Sequence, residues 1–99
     1  MGKVYVKATR HGSHVLVAIC DAELLGKTIK GNDITIKVNE SFYKGSLMEA
    51  EEAVELIRNA SIVNLLGRDI IGEAIKRKLV IPEAVMYISD VPHVQIIWV

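Results

Sequence analysis

The sequence predicts an α+β fold: a mostly antiparallel sheet with two main helices packed on it, in the order ββββαβαββ. Three observations carry this. Residues 3–38 run in short alternating or apolar bursts separated by turn residues, which is how strands read. Two later stretches, 47–59 and 68–79, space apolar residues three and four apart, as helices do. Strand patterns then return at 84–89 and 93–99. Long strand runs beside a few helices belong to α+β proteins, where helices cover one face of a sheet.

The elements follow in order. In "KVYVKAT" (3–9), Val4, Val6 and Ala8 share one face and Lys3, Tyr5 and Lys7 the other, so this is a half-buried strand. "RHGSH" turns at Gly12, and "VLVAI" (15–19), apolar throughout, reads as a more central strand. Asp21 can cap a short helical turn over 22–25 that Gly26 ends. "KTIK" (27–30) and "ITIKV" (34–38) are two further strands around a "GND" turn, with Ile34, Ile36 and Val38 facing inward. "NESFYKG" (39–45) is a loop.

Ser46 and Glu49 stand at capping-box spacing and predict a helix over 47–59, with Leu47, Ala50, Val54 and Ile57 on the buried face. "SIVNLL" (61–66) is a buried strand. The second helix, 68–79, buries Ile70, Ile71, Ala74 and Ile75, and its late cations Lys76, Arg77 and Lys78 complement the helix dipole. Pro82 blocks continuation, and a turn at "DVP" joins the last two strands.

A chain of 99 residues reads as one domain spanning 1–99. Hydrophobic residues make up 51% but aromatics only 5%, so the core is built from Ile, Val and Leu. Lys+Arg and Asp+Glu are both 12, and that balance lacks the strongly basic footprint of many nucleic-acid binders, which leaves a local basic patch as the form such a surface would take. One cysteine rules out a disulfide framework and points to a reducing, cytoplasmic setting. The opening residues alternate in polarity, so no signal peptide is expected, and no apolar run is long enough to span a membrane.

Several local patterns occur together in a familiar order: "ICDAELLGKT", "ESFYKG", "SIVNLLG" followed by "GEAI", and "VPHVQIIWV". Their arrangement resembles the archaeal family of unknown function DUF424 over nearly the whole chain. The resemblance implies a small α+β domain of archaeal cytoplasm with a loose link to RNA and translation. It implies no activity that can be carried to particular residues, and no enzyme signature is present.

The candidate chemistry is sparse. Cys20, beside Asp21, could be a nucleophile if a cation or helix start lowered its pKa; otherwise it is a small core residue. His93 shares a strand face with Gln95 and could serve as its base, or simply be a hydrogen-bonded histidine at a sheet edge. His11 and His14 lie on a turn without the spacing of a metal site, so no metal and no cofactor is expected.

"LLGK" (24–27) and "LLGR" (65–68) look like a repeat, but their flanks disagree. The second runs a strand through Gly67 into a helix whose first N–H groups have no intrahelical partner. Arg68 gains nothing from the dipole there, so Gly67, Arg68 and Asn64 are candidates for an anion site. The alternative is a plain helix start.

For RNA, Lys3, Tyr5 and Lys7 put two cations and a ring on one strand face, and Tyr43 and Lys44 extend this from a loop. Tyr43 is expected to stay clear of the core more readily than Phe42.

Three functional readings follow. The first is a non-enzymatic module that binds RNA or the ribosome. The second is a small-molecule enzyme or an anion- or nucleotide-binding protein using Cys20, Asp21 and His93 with the Gly67–Arg68 turn. The third is a protein-partner-binding module, which an exposed apolar patch would favour. The apolar ending "VQIIWV" also suggests a homodimer through the C-terminal strand, if that strand lies at a sheet edge.

Overall fold

Strand β1 (Lys3–His11) turns through Gly12 into β2 (His14–Asp21), and the two pair antiparallel along their whole length, from Val4 opposite Asp21 to His11 opposite His14. This is a computed structural model, and it describes residues 2–98. The hairpin seeds a six-stranded sheet in the order β5-β1-β2-β6-β8-β7. Strands β5 (Ser46–Glu49), β6 (Ile62–Leu66), β7 (Met86–Ile88) and β8 (Val91–Ile97) complete it. Among the described residues only β2 and β6 run parallel, and every other pairing is antiparallel.

The alternation of side chains across the strands divides the core in two. On one face Val4, Val6, Val17, Ile19, Val63, Leu65 and Val94 pack against Ala50, Val54, Ile57, Ile70 and Ala74 of the helical layer. On the other, Ala18, Cys20, Leu66 and Ile88 meet Ile29, Val38 and Tyr43. The expected aliphatic core is therefore present, but it has two sides.

The second side has a cover that the sequence pattern did not place. Strands β3 (Thr28–Lys30) and β4 (Thr35–Lys37) do not join the main sheet. They form their own hairpin, Ile29 opposite Ile36, and fold over the face that lacks the long helices. Period two fixes which side chains share a face but not which sheet a strand joins. Val38 is buried, Ile36 half-buried, and Ile34 at the hairpin tip is exposed rather than inward. Beside the hairpin, Glu40–Tyr43 makes one helical turn, α1, where a loop was expected.

The helix expected over 47–59 is corrected in the same region. Ser46–Glu49 is the edge strand β5, paired with β1 from Lys3 opposite Glu49 to Val6 opposite Ser46. The capping box moves on by one turn: Glu52 Oε1 accepts the Glu49 N–H at 3.3 Å. Helix α2 (Ala50–Ala53) then tightens into a 3₁₀ segment over Val54–Asn59. A partner for the open edge of β1 outweighs four residues of helix propensity, which is a weak preference.

Helix α3 (Arg68–Lys76) stops three residues short of its expected end. Lys78, at φ 61°, takes the left-handed position, and Leu79 N–H donates to the Ala74 carbonyl across the turn. Arg77 pairs with Glu55 and holds the end of α3 to the 3₁₀ segment.

Strand β8 lies between β6 and β7 over Val91–His93, and from Val94 to Ile97 it has β6 alone as a strand neighbour among the described residues. The edge that a C-terminal dimer would use is therefore covered at 91–93 and open at 94–97 among the described residues. Trp98 donates its indole N–H to the Ile57 carbonyl at 3.3 Å, and Val99 lies outside the described residues. The edge on that side of the sheet is β7, three residues long, beside Val91–His93, and β8 itself over 94–97.

Candidate functional site

The parallel pair β2 and β6 ends where α3 begins, the part of an α/β arrangement in which ligands often sit. A hollow of about 300 Å³ opens there, lined by Asp21, Glu23, Lys27, Gly67, Arg68 and Asp90 among others. Two of the helix-start N–H groups are nevertheless occupied. Asp21 Oδ2 accepts the Asp69 N–H at 2.8 Å and Oδ1 accepts the Ile70 N–H at 3.0 Å.

Asp21 caps α3 across 48 residues of chain, not the turn that follows it, where no side-chain cap is made. The anion at this helix start is the protein's own carboxylate. That corrects the premise that these donors await a ligand. Arg68 turns outward to Asp90, meeting its carboxylate at 3.4 Å and its carbonyl at 3.3 Å. Asn64 sits mid-strand between Ala18 and Gln95, away from the walls of this hollow.

Burial pushes the Asp21 carboxyl up to about 6, against the pull of its two N–H partners and with a further push from Asp69 and Glu23. The carboxylates of Asp21, Glu23 and Asp69 lie within 4.8 Å of one another. Both oxygens of Asp21 are engaged by the helix, and nothing in the structure points to an ion beside them.

Cys20 and Asp21 are successive strand residues and point to opposite faces. Cys20 is fully buried, and burial, reinforced by Asp21 and opposed by a backbone contact from Tyr5, pushes its thiol up to about 12. His93 shares its face of the sheet, but Leu66 stands between them in register. Two strand spacings separate the pair, about 10 Å, well beyond hydrogen-bond reach. The structure does not bring together a nucleophile and base.

The residues considered for RNA are mostly engaged within the fold. Lys3 Nζ lies 3.0 Å from Glu49 Oε2 on the neighbouring strand. Lys7 Nζ donates to the Ser41 carbonyl at 2.6 Å, holding α1 against β1. Tyr5 is half-buried against the second core cluster. Tyr43, expected to be the freer ring, is 7% exposed, whereas Phe42 stands edge-on to it at the surface with centroids 4.8 Å apart. One turn of α1 explains the reversal, because it carries Tyr43 inward under the hairpin. Lys44 is exposed.

The feature that sequence reasoning missed lies at the opposite edge. Ile34, Phe42, Met86 and Tyr87 are exposed at 52%, 37%, 68% and 66%. All four surround one hollow of about 390 Å³, between the β3–β4 hairpin, α1 and strand β7. Its other walls include Ile36, Ile88, Leu66 and His93, with Lys37 and Asn39 at the rim. No carboxylate lines it. Burial lowers the pKa of His93, so it stands there as a neutral donor and acceptor. The available signal was "AVMYIS", a short strand with apolar residues on both faces; a strand of that kind needs cover on each side.

A family model described as "Protein of unknown function (DUF424)" matches residues 9–99. The crystal structure of an uncharacterized conserved protein from Methanopyrus kandleri superposes with a TM-score of 0.82 and 29% identity, covering 95% of this chain and 90% of that one. No curated protein matches the chain.

Proposed function

Because the chain belongs to the DUF424 family, whose description names no activity, we propose its function from its own surface: it is a binding module that docks a protein partner beside strand β7. The observation that carries this reading is the grouping of Ile34, Phe42, Met86 and Tyr87 around one apolar hollow. Exposed apolar residues scattered singly need no explanation, but several gathered around a concave surface mark an interaction site. A partner's apolar side chain gains from burial there. Lys37, Asn39 and His93 supply the few polar groups that would fix its orientation.

The other readings have less support. An enzyme based on Cys20 would have a thiol that burial pushes up to about 12 and no His93 base within reach. RNA binding through Lys3, Tyr5 and Lys7 would require an ion pair and a lysine–carbonyl bond to be broken first. Tyr43 could stack on a base only by leaving the core.

A photoreactive amino acid at Met86, with a second at exposed Leu56 as control, tests the proposal in native cell extract. The expected result is a discrete protein adduct at position 86, absent at 56 and resistant to ribonuclease. An adduct that ribonuclease destroys would return the RNA reading. Equal labelling at both positions would remove the docking site.

A further inference from the structure

Resting on the partner-binding reading, we propose that the docked segment enters as an added β-strand on the open edge of β7, with its side chains alternating between hollows on the two faces of the sheet. The edge itself comes first. Met86, Tyr87 and Ile88 stand opposite His93, Pro92 and Val91. The Pro92 carbonyl accepts the Gly67 N–H at 3.0 Å, so the hydrogen-bonding side of Pro92 faces β6. In an antiparallel pair, residues directly opposite either bond each other or both turn away. Tyr87 therefore turns its N–H and C=O outward. Among the described residues no further backbone bond uses them.

That open edge has a hollow on each side. Met86 and Ile88 are in register with His93 and Val91, and on their face lies the hollow of about 390 Å³ already described. Tyr87 alternates with them, so it borders the first hollow and reaches the other face as well. There a second hollow, of about 410 Å³, is walled by Tyr87, Pro92, Arg68, Ile71, Gly72 and Ile75, between β7 and α3. A strand laid along β7 would send successive side chains to opposite faces, one into each hollow. Main-chain bonds supply attachment in this mode, and side-chain pockets supply choice.

Charge states what the segment carries. The first hollow has Lys37 at its rim and no carboxylate. The second has Arg68 and Asp90 paired on its wall, so it favours an apolar side chain rather than a charge. The occupant is thus an extended peptide of a partner protein, apolar at two neighbouring positions and bearing a carboxylate next to them on the Lys37 side. The shortness of β7 fits this role. A long open edge invites indiscriminate pairing, while three residues bind weakly unless both hollows are filled.

The test uses peptides selected from a displayed library of random ten-residue sequences against the intact chain. Neighbouring apolar residues flanked by Asp or Glu should be enriched. N-methylation of the residue opposite Tyr87 should weaken binding at least tenfold, because it removes a main-chain donor. Met86→Glu should weaken it similarly. Gly72→Leu adds bulk to the α3 side, at a position where a β-carbon meets nothing within 4 Å, and should also cost tenfold with an unchanged circular dichroism spectrum.

Peptides that bind wild-type chain but tolerate both N-methylation and Gly72→Leu would overturn strand addition while leaving partner docking intact. A Met86 photoadduct to a second copy of this chain would overturn the heterologous occupant. Absence of any peptide binder overturns strand addition; absence of a Met86 adduct as well removes partner docking itself.

Discussion

Gly67 lies so close to Asp21 that a β-carbon on it would stand 2.3 Å from Asp21 Cγ. Its backbone, at φ 119° and ψ 158°, occupies a region that essentially only glycine enters. The two facts have one cause. For Asp21 to reach the N–H groups of α3, the chain between β6 and the helix must turn sharply and carry no side chain. Gly67→Ala should therefore cost about 3–5 kcal/mol, from backbone strain and a displaced cap together. Gly72→Ala, at an open position on the same helix, should instead stabilise by about 0.5–1 kcal/mol. Urea denaturation of both variants checks the contrast. A harmless Gly67→Ala would mean that the cap does not need this approach.

Asp21 also predicts how stability changes with pH. Its folded-state pKa is raised from 3.8 to about 6, so the folded chain holds the proton more tightly than the unfolded one. Between about pH 4 and 6 the unfolded chain ionises first, and stability falls as pH rises through that window. Above about 6 both states are ionised and the effect is flat. A shift of two units corresponds to about 3 kcal/mol at most, shared with every other carboxylate that titrates there. Asp21→Asn should remove this slope while costing about 1–2 kcal/mol, because its amide NH₂ cannot accept the second helix N–H. Denaturation curves for both chains from pH 4 to 7.5 decide it; an unchanged slope in the variant rules Asp21 out as its source.

The sequence revealed these parts unevenly, for physical reasons. Strands β1, β2 and β6 and helix α3 were legible because their apolar spacing is regular and their turns are marked by glycine. The role of Asp21 was not, since its partners lie 48 and 49 residues away and a local reading assigns it to the next turn. Strand β5 was hidden under a convincing capping-box spacing because edge pairing is decided by tertiary neighbours. The hollow beside β7 depends on where the β3–β4 hairpin folds, and no periodicity encodes that.

Arg68 should matter little to stability. It is 72% exposed as a side chain, and its partner Asp90 is 81% exposed. An ion pair so open to water is worth a few tenths of a kcal/mol at most. Arg68→Ala should leave the denaturation midpoint within error and should not alter sulfate or phosphate binding, because the helix donors behind it already hold Asp21. Isothermal titration with phosphate measures the second point. Tight phosphate binding that disappears in Arg68→Ala would restore an anion site at this turn.

Cys20 should behave as core rather than chemistry. With its thiol pushed up to about 12, the thiolate fraction near pH 7 is on the order of 10⁻⁵, and the sulfur is fully buried as well. Ellman's reagent should therefore leave the native chain untouched on the timescale of minutes and react at once in denaturant. Native labelling should proceed only as the sheet opens, so its rate should rise with temperature and denaturant in step with opening. Cys20→Ala should retain the fold at a cost of about 1 kcal/mol, the removal of one small buried group from the cluster around Tyr43 and Leu66. Cys20→Ser should cost more, because its hydroxyl would need a hydrogen-bond partner in apolar surroundings. Native labelling as fast as denatured labelling would show a reactive, accessible thiol and revive the nucleophile reading.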